Sequence, residues 1–394
     1  MTTKWTKGRK TGLLAAALLG CGAAGASAQD LAALEARIAA LEAEKAAAPA
    51  VTAGPGVKLS FYGFTKLDLV GDNNYDLGYT TGGMASVGES SVQDGGSGAT
   101  AFESRLGVKG SIDTEIGEVK FNLEGDFYGA ASGSGNFRLR HAYGEVGPLL
   151  AGQTWTNWMP FEGTPGAIQD FNGAAGGTNY RVPQLRYTFR PNEQWRLSLA
   201  VEEDYAPGAQ SNLALSAFGG YASPRVKAGL GLLARNLETN AGESVRGLGY
   251  ALGADVEAWQ GGKLQVQYVG GKGIATAMNN AGAATIDIAT GGKYAYDIDA
   301  NGDAIKVQGL KAGITQTLGE KSDISVAYGM QRFDDYAGAA DSGTRQISST
   351  YLTYRYFATK QLMLAAEVSY LEREQFDGVS FDNTRLQGVV KFTF

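Results

Sequence analysis

Cysteine and histidine are almost absent: Cys21 and His141 stand alone in 394 residues. One cysteine cannot build a disulfide framework. One histidine weakens any Ser-His nucleophile or histidine-based zinc scheme, though not a purely carboxylate-based chemistry. Proline is scarce, at 9 residues. Beyond residue 28 no run reaches the roughly 18 apolar residues that a transmembrane helix needs. Basic residues are outnumbered, 34 against 40 acids. An acidic balance argues against a nucleic-acid partner, which wants a basic surface.

Glycine (57), tyrosine (19) and phenylalanine (16) are abundant instead. The N-terminus comes first. Lys4, Lys7, Arg9 and Lys10 precede a short apolar core, Leu13 to Ala24, and then Ala26-Ser27-Ala28. That order predicts a signal peptide over 1–28. Losing its four positive charges takes the formal net charge from −6 to about −10. Leu18-Leu19-Gly20-Cys21 has some lipobox character, but Leu19 fits poorly. The A-x-A site is the better signal, and cleavage there removes Cys21.

Residues 29–46 contain Leu31, Leu34, Ile38 and Leu41 at 3-4-3 spacing. This is an a/d seam of barely two heptads, with Arg37 at g and Glu42 at e. It predicts a short coiled-coil helix that assists a larger oligomer, or else one amphipathic helix on a surface. Pro and Gly in 47–56 make a linker.

From 57 onward the period changes to two. Leu59, Phe61, Leu67 and Leu69 alternate with Lys58, Ser60, Lys66 and Asp68. Sixteen such runs follow, from 57–70 to 382–394. Charge recurs on the inner face of run after run, which a half-buried soluble sheet does not tolerate. Long connections such as 71–100, 157–182, 274–306 and 374–381 alternate with tight turns such as "DTEIG", "RPNEQ" and "LGEK". The predicted fold is all-β: a 16-stranded antiparallel transmembrane β-barrel over 57–394, with short periplasmic turns, long external loops and a periplasmic N-terminal helix. This places the chain in a Gram-negative outer membrane, in contact with its lipid. The last stretch, "RLQGVVKFTF", closes the barrel on the first strand, and terminal Phe394 suits recognition by the outer-membrane assembly machinery. Phe61, Tyr128, Tyr143, Tyr187, Tyr354, Tyr356, Phe392 and Phe394 suit the interfacial girdles.

Sixteen strands enclose a lumen that side chains alone do not fill. Strand parity turns Lys66, Arg105, Lys109, Lys120, Arg138, Arg140, Arg186, Arg190 and Arg196 inward, with Glu103, Glu124, Asp126, Glu202 and Asp204. Of these, Arg105, Lys120, Arg138, Arg140, Arg186 and Arg196 are the candidate anion-selecting residues, because arginine holds a carboxylate by two parallel hydrogen bonds. The alternative is Arg–Glu pairing across strands, which fixes register and selects nothing. Trp158, Phe161 and Phe171 in 157–182 suit a loop packed against the inner wall, a constriction loop whose Glu162, Asp170 and Arg181 would face the arginines. Parity with Phe137, Leu139 and Tyr143 turns His141 outward.

"DIDANGD" (297–303) resembles the start of an EF-hand loop. Asp297, Asp299 and Asn301 are a weak Ca²⁺ candidate, but Gln308 stands where a bidentate glutamate is needed. No cofactor is called for.

"FRLRHAYGEVGPLLAGQTWTNW" (137–158), then "TPG" and "DFNG", with "FYGFTKLDLV" and "EGDFYG" before them, resembles the DcaP-like trimeric outer-membrane porins. The resemblance runs from the heptad to the C-terminus and is sharpest over 119–190. It implies a homotrimer, a periplasmic coiled coil, and uptake of small organic anions such as aromatic dicarboxylates. Arg138, Arg140 and Arg186 match the family's inner-wall arginines by motif; the others rest on parity. The competing function classes are a barrel enzyme or adhesin acting through its loops, and an envelope tether acting through the N-terminal helix.

Overall fold

The computed structural model describes residues 51–52, 56–129, 135–178, 180–204, 213–239, 241–278 and 297–394. The expected signal peptide and the coiled coil at 29–46 lie outside the described residues.

Sixteen antiparallel strands form the barrel. In chain order they are β1 Val57–Asp72, β2 Arg105–Thr114, β3 Gly117–Asp126, β4 Arg138–Val146, β5 Leu149–Trp155, β6 Arg181–Phe189, β7 Trp195–Glu203 and β8 Leu213–Ala222. They continue with β9 Val226–Glu238, β10 Ser244–Trp259, β11 Gly262–Lys272, β12 Lys306–Leu318, β13 Ser322–Phe333, β14 Thr344–Phe357, β15 Leu362–Gln375 and β16 Ser380–Thr393. Each pairs with its sequence neighbours, and β16 pairs with β1 from Arg385↔Asp72 to Thr393↔Phe64. Phe394 extends the seam by two backbone hydrogen bonds with Gly63, 3.1 and 3.2 Å. Closure leaves no open edge, the condition for a sheet to cross lipid. A short strand, Gly96–Thr100, pairs with the far end of β1 and continues the line of β2 across a break at 101–104. Val51–Thr52 pairs with Lys58 and Leu59.

The alternation read from the sequence sets the two faces. In β9, Leu230 and Leu232 stand exposed outward, while Leu233, Arg235 and Leu237 are buried inward. The outer face bears leucine and aromatics in strand after strand and faces lipid. The apolar clusters formed by buried residues therefore lie inside the barrel. One joins Trp158, Leu233, Val269, Ile274 and Phe333; another joins Met84, Ala175, Ile347, Tyr351 and Leu371. Both are made by loops folded inward against the wall.

Parity fails at one place in β4. A register shift opposite Glu124 and Gly125 inserts one residue. Arg140 and His141 then both face the lumen and both are buried. His141 is not outward, as its parity suggested: its Nδ1 lies 3.0 Å from Thr154 Oγ1 and its ring meets Trp155. A bulge of this kind re-aims side chains without changing composition. Tyr143, level with Asn122, and Tyr128, stacked on Phe171 at 4.4 Å, also point inward and do not join a girdle. Phe61, Tyr187, Phe392 and Phe394 are exposed, as a girdle requires.

Candidate functional site: the lumen constriction

Trp155 ends β5, and residues 156–178 then turn into the lumen. Glu202 of β7 takes the first turn, accepting from the Thr156 hydroxyl at 2.6 Å and from the Asn157 amide. Trp158 is fully buried, and its Nε1 donates to the Tyr180 hydroxyl at 2.7 Å, tying the two ends of the loop together.

The loop follows the inner wall closely because inward positions there are glycine. A Cβ at Gly231 of β9 would overlap the Trp158 carbonyl, and one at Gly253 of β10 would overlap the Glu162 carbonyl. Gly313, Gly329 and Gly309 give the same room to Pro165, Ala175 and Gly176. Polar side chains of the wall satisfy the loop backbone. Gln267 and Gln265 Nε2 donate to the Pro160 and Thr164 carbonyls, each at 2.7 Å. Glu367 of β15 accepts from the Gln169 and Asp170 amides at 2.7 and 3.1 Å. Lys66 of β1 donates to the Gln169 carbonyl at 2.7 Å. On the return, the Ala175 amide donates to Ser349 Oγ at 3.0 Å. The loop thus covers the wall from β9 round to β1.

The opposite arc, β2 to β7, which the loop meets at Asn157 and at Phe171 over Arg138, carries the arginines. They fall into two sets. Arg138 holds Asp126 in a bidentate pair, 2.9 and 2.6 Å, and Arg140 bridges Glu124 and Asp126 at 2.7 and 2.8 Å. Arg105 Nε lies 3.4 Å from Glu124, with its guanidinium over the Phe64 ring. In this set cross-strand pairing is real, with three cations sharing two carboxylates.

Arg181, Arg186, Arg190 and Arg196 form the second set. Among the described residues, none has a carboxylate within 4 Å. Arg181 stacks on Trp155 at 4.0 Å and Arg196 on Phe218 at 4.6 Å. The Nε atoms of Arg181 and Arg186 are buried with no hydrogen-bond partner.

The remaining sequence candidates are placed as follows. Lys120 is exposed beside the β2–β3 turn, 3.2 Å from Glu118, at the short-turn rim and away from the constriction. Asp170 does not face the arginine arc. It is buried against the 3₁₀ turn Thr81–Ser86, accepting from the Thr81 amide and hydroxyl at 2.8 and 2.7 Å, with Arg385 Nη1 at 3.6 Å. Glu162 sits partly buried against Gly229 and beside Phe218, where its charge acts on Arg196 of the second set. Arg181 belongs to the wall itself, as the first residue of β6. Asp297 is spent on Arg235 Nη1 at 2.9 Å and on Thr276. Asp299 caps its own turn, accepting from the Asn301 and Asp303 amides at 2.9 Å each. These two carboxylates do not converge, and among the described residues no acidic or histidine cluster has metal-site geometry.

Lys391 was overlooked. Its ammonium stands 3.9 Å above the Phe64 ring, level with Lys66 in the seam. The signal was present, since Lys391 lies on the polar face of the closing strand. Trp155, the platform of Arg181, carried no distinguishing signal.

A closed sixteen-stranded barrel with a loop folded along its inner wall and a cationic arc opposite is the architecture of an outer-membrane porin. The comparisons agree. The DcaP outer membrane protein family matches residues 38–211. The outer-membrane channel DcaP of Acinetobacter baumannii superposes with a TM-score of 0.75 at 23% identity, covering 88% of this chain and 99% of that one. An anion-selective porin from Comamonas acidovorans gives 0.57 at 15% identity, over 86% and 100% of the two chains. The trimer form of OmpT from Vibrio cholerae gives 0.52 at 11%, over 86% and 100%. No curated protein matches the sequence. Over residues 38–211 the chain resembles the DcaP outer membrane proteins, and its fold is that of the outer-membrane porins.

Proposed function

We propose that this chain is a porin that gives passive, anion-preferring diffusion to small organic acids, including aromatic dicarboxylates. The observation that carries the reading is the asymmetry of the lumen. The loop covers β9 to β1 and leaves bare the arc where four arginines lack a carboxylate partner. A permeating ion passes along this arc and meets them in turn. Arginine's planar fork accepts a carboxylate bidentately, and aromatic platforms at Trp155 and Phe218 hold two of the forks in place. The acidic overall charge does not oppose this, because a permeating ion responds to the charges at the narrowest section. The fold likeness to an anion-selective porin supports the reading, and the likeness to a porin seen as a trimer supports a homotrimer. The 29–46 helix would then gather at the trimer axis in the periplasm, and Phe394 would be the residue read during assembly.

The test is the reversal potential of the refolded mature protein in a planar bilayer under a KCl gradient. An anion-selective value, with current blocked by an added aromatic dicarboxylate, is expected. A cation-selective value overturns the proposal. Absence of current turns attention to the adhesin or tether roles.

A further inference from the structure

We infer that the lumen holds a second anion station, on the periplasmic side of the inner loop, for organic anions that carry an apolar body. The inference rests on the channel reading above and adds a separate site to it.

A cavity of about 370 Å³ lies between the underside of the inner loop and the short turns at 147–148 and 190–194. Its charged lining is Arg186, Arg190 and Arg196 against one carboxylate, Glu145, with Glu162 acting on Arg196 from outside the lining. Glu145 forms no ion pair within 4 Å of any of the three. Arg186 Nε is buried and unpartnered. Thr188 apart, the neutral polar side chains of the lining are engaged elsewhere. Thr156 donates to Glu202 at 2.6 Å, and Ser198 donates to Asn157 Oδ1 at 2.5 Å. What remains available is one hydroxyl, that of Thr188, and a set of guanidinium donors. Such a set recognises carboxylate or phosphate and has little to offer a neutral sugar. Phe218, Met159 and Leu150 add apolar wall. The volume falls in the class of sites that enclose small organic molecules.

The station is separate from the constriction. Arg181 and Arg186 are five residues apart on β6, about 16 Å at the usual strand rise. That exceeds the Debye length of about 8 Å at physiological salt, so the two tiers act as distinct wells.

The experiment measures benzoate block of the refolded mature channel, added separately to the long-loop and short-turn sides. In Arg186→Gln/Arg196→Gln, the blocking affinity from the short-turn side is expected to fall at least tenfold, and that from the long-loop side less than threefold. Equal loss from both sides, or none, overturns the second station while leaving the channel reading intact. A cation-selective wild type, insensitive to benzoate, overturns both. A second variant keeps every guanidinium. Thr188→Cys places a thiol in the cavity lining. An anionic methanethiosulfonate should modify it faster than a cationic one, each rate taken relative to a free thiol in solution. Equal relative rates, or a faster cationic reagent, also overturn the station.

Discussion

Arg181→Gln removes one unpaired positive charge from the wall and leaves the backbone of β6 in place. The magnitude follows from Coulomb's law. A unit charge about 6 Å from a permeating ion contributes roughly 0.7 kcal/mol in a water-like dielectric. Potassium and chloride feel it with opposite sign, so the permeability ratio changes by about 1.4 kcal/mol, close to tenfold, before screening. At 0.15 M salt a Debye length of about 8 Å reduces the effect by about half, to roughly threefold. At 1 M, where the Debye length is about 3 Å, it nearly vanishes. The assay is the reversal potential under a fixed KCl ratio at three mean salt concentrations. Anion selectivity should fall in the variant, most strongly at low salt. Arg138→Gln should shift the ratio in the same direction, although Arg138 is paired with Asp126, because removing a charge changes the field whether or not it has a neighbour. The two should differ in organic-anion block, which needs donors not already held by a carboxylate. Unchanged selectivity at low salt, or a shift that grows with salt, would refute the claim that Arg181 faces the ion path.

Three further outcomes concern the scaffold. Gly231→Ala puts a methyl group onto the Trp158 carbonyl. It should cost about 1–3 kcal/mol and lift the loop, raising single-channel conductance and lowering the thermal midpoint. Asp170→Ala leaves the Thr81 and Asn172 amides without their acceptor, while Arg385 keeps its bidentate pair with Asp72. Each unsatisfied buried donor costs about 1–3 kcal/mol, so open-channel noise from a looser loop tip should increase without loss of the barrel. Arg235→Met strands the buried Asp204 and Asp297 carboxylates, a loss of about 3–5 kcal/mol. Heat-induced gel migration should then occur at lower temperature, and an unchanged midpoint would count against a buried ion-pair role.

The strand pattern was legible because period-two alternation is a local property. It persists through every wall segment whatever the loops do, and it put Arg105, Arg138, Arg186 and Arg196 on the inner face. Three features were not legible for physical reasons. The bulge at Arg140 and His141 is a property of pairing between β3 and β4, and one inserted residue reverses the parity of His141 with no trace in composition. The orientation of Asp170 depends on Thr81 and Arg385, which are 89 and 215 positions away and meet only once the barrel closes. The division of the arginines into paired and unpaired sets depends on which neighbour carries Glu124 and Asp126 at the same height. One feature could have been found. Gly231, Gly253, Gly309, Gly313 and Gly329 recur at inward parity on β9, β10, β12 and β13, where a water-facing wall has no need of them. A track of missing side chains across neighbouring strands marks where another segment lies against the wall.

That track and the arginine arc are two parts of one asymmetry. Where inward side chains are reduced to hydrogen, the loop backbone rests on the wall, and Gln265, Gln267, Ser349 and Glu367 satisfy its peptide groups. Where the wall keeps its long arginines, the loop meets it through side chains, as Phe171 does over Arg138, and its backbone stands off. The open section is therefore forced to the arginine side by sterics before electrostatics enters. Adding side chains to the glycine strands would push the loop toward the arginines and narrow the passage. Shortening the arginines would widen it and weaken its field together. Width and selectivity are thus coupled through the same residues, and a substitution in the arc that changes ion preference should also change conductance.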